Sequence, residues 1–338
     1  MNYSIIIPAL NATGTLGECL KAVGALEGRV NVCEVIVVDD GSNDDTSRIA
    51  QDFGAKVIRN EKPLGPAAAR NAGAKAATAE ILLFVDADII FPQEALAEYD
   101  KFFETNPSVT AVVGSRSPVS YYKNIISRYK SYWTAYNWSC SARSRVLNSS
   151  ALACKKNAFA ELGGFDESIK DAFYEDDELG LRMSDKGYEI GVAVGVKAVH
   201  IKHYSFRTLL ARDMNTDFAK YEMRSGRLAK DLRKFSYSSV APHILISFPF
   251  MLLVVVALIV MLAAGTDSRV TAITLIFGFS LMIGLNRPFW NYVAGAEKFK
   301  LKTPLFVLIF LAHIFCVGIA QLVGYAKGIL EGSRKKQS

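Results

Sequence analysis

The sequence predicts an α/β protein with a mostly parallel central sheet, followed by an all-α transmembrane region. Two observations lead to this fold class. Short apolar runs alternate with segments of helical period over residues 1–204, the pattern of βαβ units. Residues 240–330 are then mostly apolar, with stretches long enough to cross a bilayer. We therefore expect a soluble domain and a membrane region in one chain.

The bulk composition narrows the classes of partner. The net charge of +6 is modest, which favours a membrane surface over nucleic acid. The five cysteines form no CxxC pair and no metal-like spacing, as expected for reduced thiols in the cytosol. No basic segment precedes the first apolar run, so we expect no signal peptide.

The predicted sheet rests on short, bounded apolar runs. A run of five apolar residues, 81–85, is typical of a strand buried on both faces. The other predicted strands are 4–8, 34–38, 56–58, 109–114, 149–154 and 192–199. Helices are predicted between them, including an alanine-rich helix at 66–79 and another from 92 to 103. Gly41 permits a tight turn, and Asn43 or Asp44 can cap the helix that follows the second strand.

Two of these strands end in paired carboxylates. Asp39 and Asp40 follow the second strand, and Asp86 and Asp88 follow the fourth. In a doubly wound sheet such ends can line one crevice, where ligands bind. Carboxylate oxygens suit Mg²⁺ or Mn²⁺ carrying a phosphate, although aspartate is also common in plain turns. Arg70, one helix ahead of the second pair, either binds phosphate or is a solvated helix residue.

Three segments together resemble the successive signatures of family 2 glycosyltransferases with the GT-A fold: 39–46, 65–73 and 84–88. The resemblance implies that Asp39 and Asp40 contact the nucleoside of a nucleotide-sugar and that Arg70 helps to hold the nucleotide. It also implies that Asp86 and Asp88 hold a divalent metal, Mg²⁺ or Mn²⁺, on the donor diphosphate. The first strand departs from the family pattern, with Leu10 and Ala12 in place of the usual aromatic and acidic residues. Pro8 and Asn11 remain as expected donor-side residues.

A third acidic segment starts at Glu175. Four successive carboxylates at a predicted helix start suit the helix dipole, which accounts for the acidity without any chemistry. The segment also resembles the family's Glu-Asp-x-x-Leu-x-x-Arg motif. By that resemblance Asp176 is the base that deprotonates the acceptor, supported by Glu175 and Asp177. Asp177 is the alternative base if the register differs by one residue.

Two further features stay open at this level. His200 follows the last predicted strand and either ligates the metal or touches a phosphate, or else is a structural histidine. Residues 115–148 interleave aromatic and basic side chains. We favour a helix at the bilayer interface beside the acceptor site. Nucleic-acid stacking or an ordinary helix packed on the sheet are the alternatives.

The sequence divides into four regions. They are a GT-A catalytic domain at 1–204, amphipathic interface helices at 205–239, a transmembrane region of about three helices at 240–330, and a basic tail at 331–338. The expected spans are 240–265, 270–286 and 303–326. For the middle segment a re-entrant hairpin is the alternative. Basic residues at 224–234 and 287–302 indicate a cytoplasmic catalytic domain on a multi-pass protein of the cell membrane. His313 marks either a lipid headgroup contact or helix packing.

These expectations point to an inverting glycosyltransferase. It would move a sugar from a UDP- or GDP-linked donor to a membrane-associated, lipid-linked acceptor. The alternatives are a processive polysaccharide synthase and a non-catalytic nucleotide-sugar-binding membrane protein. The first alternative is weakened because no Gln-x-x-Arg-Trp motif follows the predicted base. A dinucleotide-binding dehydrogenase is excluded because no G-x-G-x-x-G follows the first strand. The sequence leaves the oligomeric state open.

Overall fold

The structure is a computed structural model that describes residues 1–28, 31–169, 174–228, 242–297 and 304–334. The chain divides into two compact units. The first, here called the sheet unit, is built on Met1–His203. The second, the helical unit, is built on the described helices from Tyr204 onward. The four expected regions, with a catalytic domain at 1–204, stay a prediction.

The sheet unit is organised on a mixed sheet of nine strands among the described residues. The strands are β1 (Tyr3–Ala9), β2 (Val32–Asp39), β3 (Lys56–Arg59), β4 (Ile81–Val85), β5 (Ile89–Ile90), β6 (Val109–Arg116), β7 (Arg143–Ser144), β8 (Ala151–Lys155) and β9 (Glu189–His200). Their order is β3-β2-β1-β4-β8-β6-β9-β5, with β7 paired to β9. Strands β3, β2, β1 and β4 are parallel, as are β6 and β9. The parallel sheet is confirmed, with β8 running antiparallel between β4 and β6.

The sheet is covered on both faces, which explains its continuous apolar strands. All five residues of β4 are buried. On β1, Ile5 and Ile7 belong to one apolar cluster and Ile6 to another, because successive side chains of a strand point to opposite faces. The helices of this unit are α1 (Leu16–Gly24), α2 (Thr46–Asp52), α3 (Pro66–Ala76), α4 (Ala95–Thr105), α5 (Ile125–Ser139), α6 (Lys156–Glu161) and α7 (Glu175–Asp185).

Helix α5 corrects the interpretation of the aromatic segment 115–148. Tyr129, Tyr132, Trp133 and Tyr136 are all buried, and the helix contacts β6 and β9. A helix that presents its rings to a headgroup layer would leave them exposed. The preference for an interface helix is therefore wrong for these rings, and the alternative of a helix packed on the sheet describes α5.

The helical unit contains α8 (Phe206–Leu228), α9 (Pro242–Ala263), α10 (Ser268–Leu285), α11 (Arg287–Glu297) and α12 (Pro304–Arg334). Among the described residues, Ser268–Leu285 and Phe306–Gly324 are long and apolar enough to cross a membrane, and Leu253–Ala263 is a shorter apolar stretch. Helix α11 was not predicted. The expectations for residues 229–241, 298–303 and 335–338, which include most of the basic clusters, lie outside the described residues.

The helical unit has an unusual surface for a water-soluble protein. Large apolar side chains are exposed along its helices, among them Leu253, Ile259, Ile273, Phe277 and Leu308, each at least 60% exposed. Exposed apolar surface of this kind fits contact with lipid.

Polar groups of the helical unit are paired inside it. The His313 Nε2 of α12 lies 2.7 Å from the Asp213 Oδ2 of α8. The Asn286 side chain donates to Ser247 Oγ at 2.7 Å. The Asp213 contact supports the helix-packing interpretation of His313.

Candidate active site

The Asp39 carboxylate is enclosed at the end of β2. It is 0% exposed, and its Oδ1 accepts a hydrogen bond from the Ser42 amide at 2.8 Å. Its Oδ2 accepts from the Ser47 hydroxyl and from Arg59 Nη1, the latter at 2.6 Å. Burial alone would raise the pKa of Asp39, but these hydrogen bonds and the Arg59 charge together lower it. Asp39 therefore stays ionised as the centre of a small network.

The Asp40 carboxylate organises the following loop. Its Oδ1 accepts from Asn60 Nδ2 at 2.7 Å and from the Leu64 amide at 2.9 Å, and its Oδ2 accepts from the Gly65 amide at 2.8 Å. The loop crosses close above Gly41, whose φ is +80° and where an added Cβ would lie 2.8 Å from the Lys62 carbonyl carbon. Only glycine fits there without moving the loop. Asp40 thus has an internal role that its sequence position does not reveal.

The expected donor-side residues of the first strand lie beside the same turn. Pro8 is in β1, opposite Val38 of β2. Asn11 follows β1 in a left-handed conformation with φ of +50°, which asparagine tolerates better than most residues. Its side-chain oxygen accepts from the Asn43 amide at 2.9 Å, and its own amide donates to Ser42 Oγ at 2.9 Å. Asn11 therefore ties the β1–α1 loop to the β2–α2 loop.

The second carboxylate pair is more open than the first. The Asp86 and Asp88 side chains are 32% and 30% exposed. Strand β5 starts directly after Asp88 and pairs antiparallel with β9, which places Ile89 opposite His200. The Asp88 Oδ2 consequently lies 2.9 Å from His200 Nε2, and the Asp88 carbonyl accepts from the Ile201 amide at 2.7 Å. His200 therefore lies beside Asp88, and its role as a metal ligand stays a prediction.

Asp86, Asp88 and His200 are the side chains expected to bind a divalent metal. No group of three or more potential ligands poised around one point occurs within the described part of the chain. Mg²⁺ and similar ions are usually bound by one or two carboxylates together with substrate phosphates, so two aspartates are sufficient protein ligands. Asp86 Oδ2 accepts no hydrogen bond from any described residue, and its side chain is part-exposed. The residues therefore fit a metal that a phosphate ligand completes.

Arg70 connects Asp86 to the acidic segment. From α3, its Nη2 donates to Asp86 Oδ1 at 2.9 Å and its Nη1 donates to Glu175 Oε1 at 2.8 Å. The guanidinium lies over the Phe165 ring, 5.5 Å from its centroid, and the side chain is 4% exposed. Arg70 Nε has no hydrogen-bond partner among the described residues. Arg70 is thus a buried bridge between two carboxylates, and the alternative of a solvated helix residue is wrong.

Helix α7 carries the three acidic residues expected to act on the acceptor. Glu175 and Asp177 are 3% and 1% exposed, whereas Asp176 between them is partly exposed. Asp176 Oδ2 accepts from the Ser149 amide at 3.3 Å, and the negative charge of Asp176 acts on Arg70. Arg70 therefore contacts both Asp86 and Glu175, and Asp176 directly follows Glu175 in the same turn. Of the three acids in the turn, Asp176 is the one accessible to a substrate.

Several contacting residues were not anticipated from the sequence. Arg59, Ser42 and Ser47 surround Asp39, and Asn60 binds Asp40. Arg59 carried a usable signal, since it directly follows the predicted strand 56–58 and so had to lie at the same sheet edge. The partners of Asp40 are mostly backbone amides, which leave no mark in the sequence.

Comparison with known proteins agrees with this geometry. The model of the family described as glycosyl transferase family 2 matches residues 4–158. A pre-mycofactocin glycosyltransferase of Mycobacterium tuberculosis is 26% identical over 224 residues, covering 62% of this chain and 45% of that protein. A poly-β-1,6-N-acetyl-D-glucosamine synthase of Staphylococcus epidermidis is 27% identical over 198 residues, covering 55% and 47%.

Among solved structures, a mannosyltransferase of Pyrobaculum calidifontis in complex with GDP-Man and Mn²⁺ superposes with a TM-score of 0.64. It is 20% identical and covers 95% of this chain and 87% of that one, a likeness that shows the fold. The chain spans about half the length of the curated relatives that it matches. Residues 4–158 are therefore a family 2 glycosyltransferase domain, and the sheet unit has the GT-A fold.

Proposed function

We propose that the protein is an inverting glycosyltransferase that moves a sugar from a nucleotide-sugar, UDP- or GDP-linked, to a membrane-associated, lipid-linked acceptor. Such a reaction belongs to the synthesis of cell-envelope glycans or glycolipids. One observation carries the proposal: buried Arg70 joins the part-exposed Asp86 to Glu175, which directly precedes the part-exposed Asp176. A group that holds a diphosphate and a group that accepts a proton are the two requirements of the transfer.

On the donor side, each residue is assigned by its place at the sheet edge. The proposed donor-side residues are Pro8, Asn11, Asp39, Asp40, Arg70 and Asp86. Asp86 would reach the donor through the metal, and the buried Asp39, Asp40 and Arg70 would shape the site around it. Asp86, Asp88 and His200 would hold a divalent metal, Mg²⁺ or Mn²⁺, which when bound offsets the negative charge of the departing diphosphate. The GT-A neighbour bound to GDP-Man and Mn²⁺ supports this assignment by analogy.

On the acceptor side, Asp176 is the proposed base. The acceptor oxygen forms a bond to the anomeric carbon while the bond from that carbon to the diphosphate breaks, and the acceptor proton passes to Asp176. The nucleoside diphosphate leaves with the electron pair. Glu175 and Asp177 are buried on either side of Asp176 and hold the turn in place, with Asp177 as the alternative base.

The assignment of Asp176 is tested by Asp176→Asn in the full chain in detergent. We expect the dissociation constant for the nucleotide-sugar to stay within about twofold, while kcat falls by roughly 10²–10⁴, the usual contribution of a general base. Asp177→Asn is the matched comparison, because it makes the same change at the next residue. Normal turnover by Asp176→Asn together with an inactive Asp177→Asn would transfer the role of base to Asp177.

The donor nucleotide can be identified by a thermal-shift panel of UDP- and GDP-sugars, each with Mn²⁺ and with chelator. One nucleotide series is expected to stabilise the protein only when Mn²⁺ is present. Equal effects with chelator would remove the metal from the proposal.

A second candidate function is a processive polysaccharide synthase, favoured by the likeness to the staphylococcal poly-N-acetylglucosamine synthase over 198 residues. The two functions differ in the product. A single transfer adds one sugar to each acceptor, whereas a processive enzyme yields long chains while most acceptors are still unused.

The helical unit supports the proposed acceptor and location. We place the protein in the cell membrane as a multi-pass protein with its catalytic domain on the cytoplasmic side. The apolar side chains exposed on α9, α10 and α12 support contact with lipid. Protease added to right-side-out vesicles should leave the sheet unit intact; its digestion there would reverse the orientation.

A further inference from the structure

Arg70 occupies a position from which it can couple two parts of the site. It joins residues that are 16 and 105 positions away in the sequence, Asp86 and Glu175. One carboxylate belongs to the expected metal site and the other to the first turn of α7. Both hydrogen bonds are of ordinary length, 2.9 and 2.8 Å, so one guanidinium serves both acids at once.

The position of Arg70 is fixed by its surroundings. The side chain is 4% exposed and lies over Phe165. The next residue, Asn71, holds the turn that contains Phe165: its side chain donates to the Phe165 carbonyl and accepts from the Phe165 amide, both at 2.9 Å. The guanidinium can therefore redistribute its attraction between Asp86 and Glu175 but cannot leave them for solvent.

We propose that Arg70 is a positioning residue that competes with the divalent metal for Asp86 and thereby links donor binding to the placement of the base-bearing turn of α7. The inference rests on the proposed function. When a cation neutralises Asp86, the attraction of Arg70 shifts towards Glu175. That shift tightens the turn in which Asp176 follows Glu175. Metal and donor binding thus prepare the turn that receives the acceptor proton, a coupling between two sites.

Removing Arg70 should therefore have the opposite effect on binding from removing an arginine that binds the nucleotide. A nucleotide-binding arginine would, when removed, weaken donor binding. A competing arginine would, when removed, strengthen metal binding, because one positive charge leaves the neighbourhood of Asp86. Because Arg70 lies 2.9 Å from Asp86 and repels a cation bound there, its removal should raise the Mn²⁺ affinity on the order of tenfold.

The test measures Mn²⁺ binding by calorimetry with the full chain in detergent, without nucleotide-sugar. For Arg70→Gln we expect Mn²⁺ to bind about tenfold more tightly while kcat for sugar transfer falls at unchanged or lower KM. Weaker or unchanged Mn²⁺ binding by a folded Arg70→Gln would overturn the proposal. The Mn²⁺ measurement stands even if no sugar is transferred, so failure of the proposed function and failure of this inference are distinguishable.

Two further variants guard against a simple folding defect. Arg70→Lys keeps the charge but cannot span both carboxylates with a planar fork, so Mn²⁺ affinity should stay near wild type while kcat falls. Arg182→Gln is the matched control, because Arg182 also holds α7 to a neighbouring segment: it donates to the Leu162 and Gly164 carbonyls and pairs with Glu178 within the helix. Tighter Mn²⁺ binding in Arg182→Gln would mean that any loosening of α7 has this effect, and would also overturn the proposal.

Discussion

The two aspartate pairs at the sheet edge look alike in sequence and differ in structure. Asp39 and Asp40 are 0% and 4% exposed, and each accepts three hydrogen bonds from neighbouring loops. The side chains of Asp86 and Asp88 are about one third exposed. The first pair therefore builds the walls of the site, and the second is available to a ligand. A carboxylate at a strand end can either stabilise neighbouring loops or bind a ligand. Its burial and hydrogen-bond partners in the structure distinguish the two roles.

The largest effect is expected at the open pair. Asp86→Asn and Asp88→Asn should each weaken Mn²⁺-dependent donor binding at least about 100-fold, because each removes a charged ligand of the metal. The melting temperature of Asp88→Asn should change little, since that side chain is part-exposed, whereas Asp86→Asn also removes a charged partner of buried Arg70 and should lower it. Isothermal titration with the nucleotide-sugar measures the affinity, and Asp52→Asn, an exposed carboxylate on α2, is the control. If both variants bind donor normally, the open pair is not the metal site.

An intermediate effect on stability is expected at the enclosed pair. Asp40→Asn replaces one carboxylate oxygen with an amide donor. With the remaining oxygen facing Asn60 and Leu64, the new donor faces the Gly65 amide, which also donates. Leaving a buried donor without an acceptor costs about 1–3 kcal/mol, so we expect the free energy of unfolding to fall by roughly that amount. Urea denaturation of the variant provides the measurement. Unchanged stability with impaired donor binding would instead make Asp40 a direct nucleoside ligand, as its sequence position implies.

The smallest effect is expected from Arg59, whose side chain is 50% exposed. The lowered pKa of Asp39 contributes stability above the unfolded aspartate pKa of about 3.9, and this contribution is lost as pH falls through the lower folded value. Arg59→Gln removes part of that lowering. The variant should be less stable than wild type at pH 7, by under about 1 kcal/mol because solvent screens the pair, and the difference should shrink below pH 3.9.

Arg48→Gln is the matched control for Arg59→Gln, because Arg48 pairs with Asp45 and both side chains are exposed. Urea denaturation at pH 7 and pH 3 compares the two. A difference between wild type and Arg59→Gln that persists unchanged at low pH would show that Arg59 does not act through Asp39.

The sequence predicted seven of the nine described strands, all except the two-residue β5 and β7. Apolar runs such as 81–85 coincide with β4, and paired aspartates identify strand ends because parallel strands share their carboxyl edge. The antiparallel insertion of β8 could not be predicted, since its sequence is as apolar as that of a parallel strand. The burial of Tyr132 and Trp133 was missed because rings suit a core and a headgroup layer equally well.

The contacts within the site were less predictable than its location. Arg70 was selected as a functional candidate from the sequence, but nothing near it in the sequence indicates that Glu175 is its partner. Contacts across such separations depend on how the helices pack. The assignments of the base, the donor contacts and the metal ligands remain predictions that the variants above can test.

The buried contact between Asp213 and His313 has a consequence for how the helical unit is assembled. Asp213 is translated 100 residues before His313, so α8 has to wait for α12 before this contact can form. A shortened chain that stops before residue 304 would contain α8 to α11 but not α12. The Asp213 carboxylate would then lack its contact with the His313 imidazole. Helix α12 would therefore complete this buried contact only after α8 has been synthesised. We expect quality-control proteases to remove chains that lack α12 faster than chains with substitutions on the exposed face of α10.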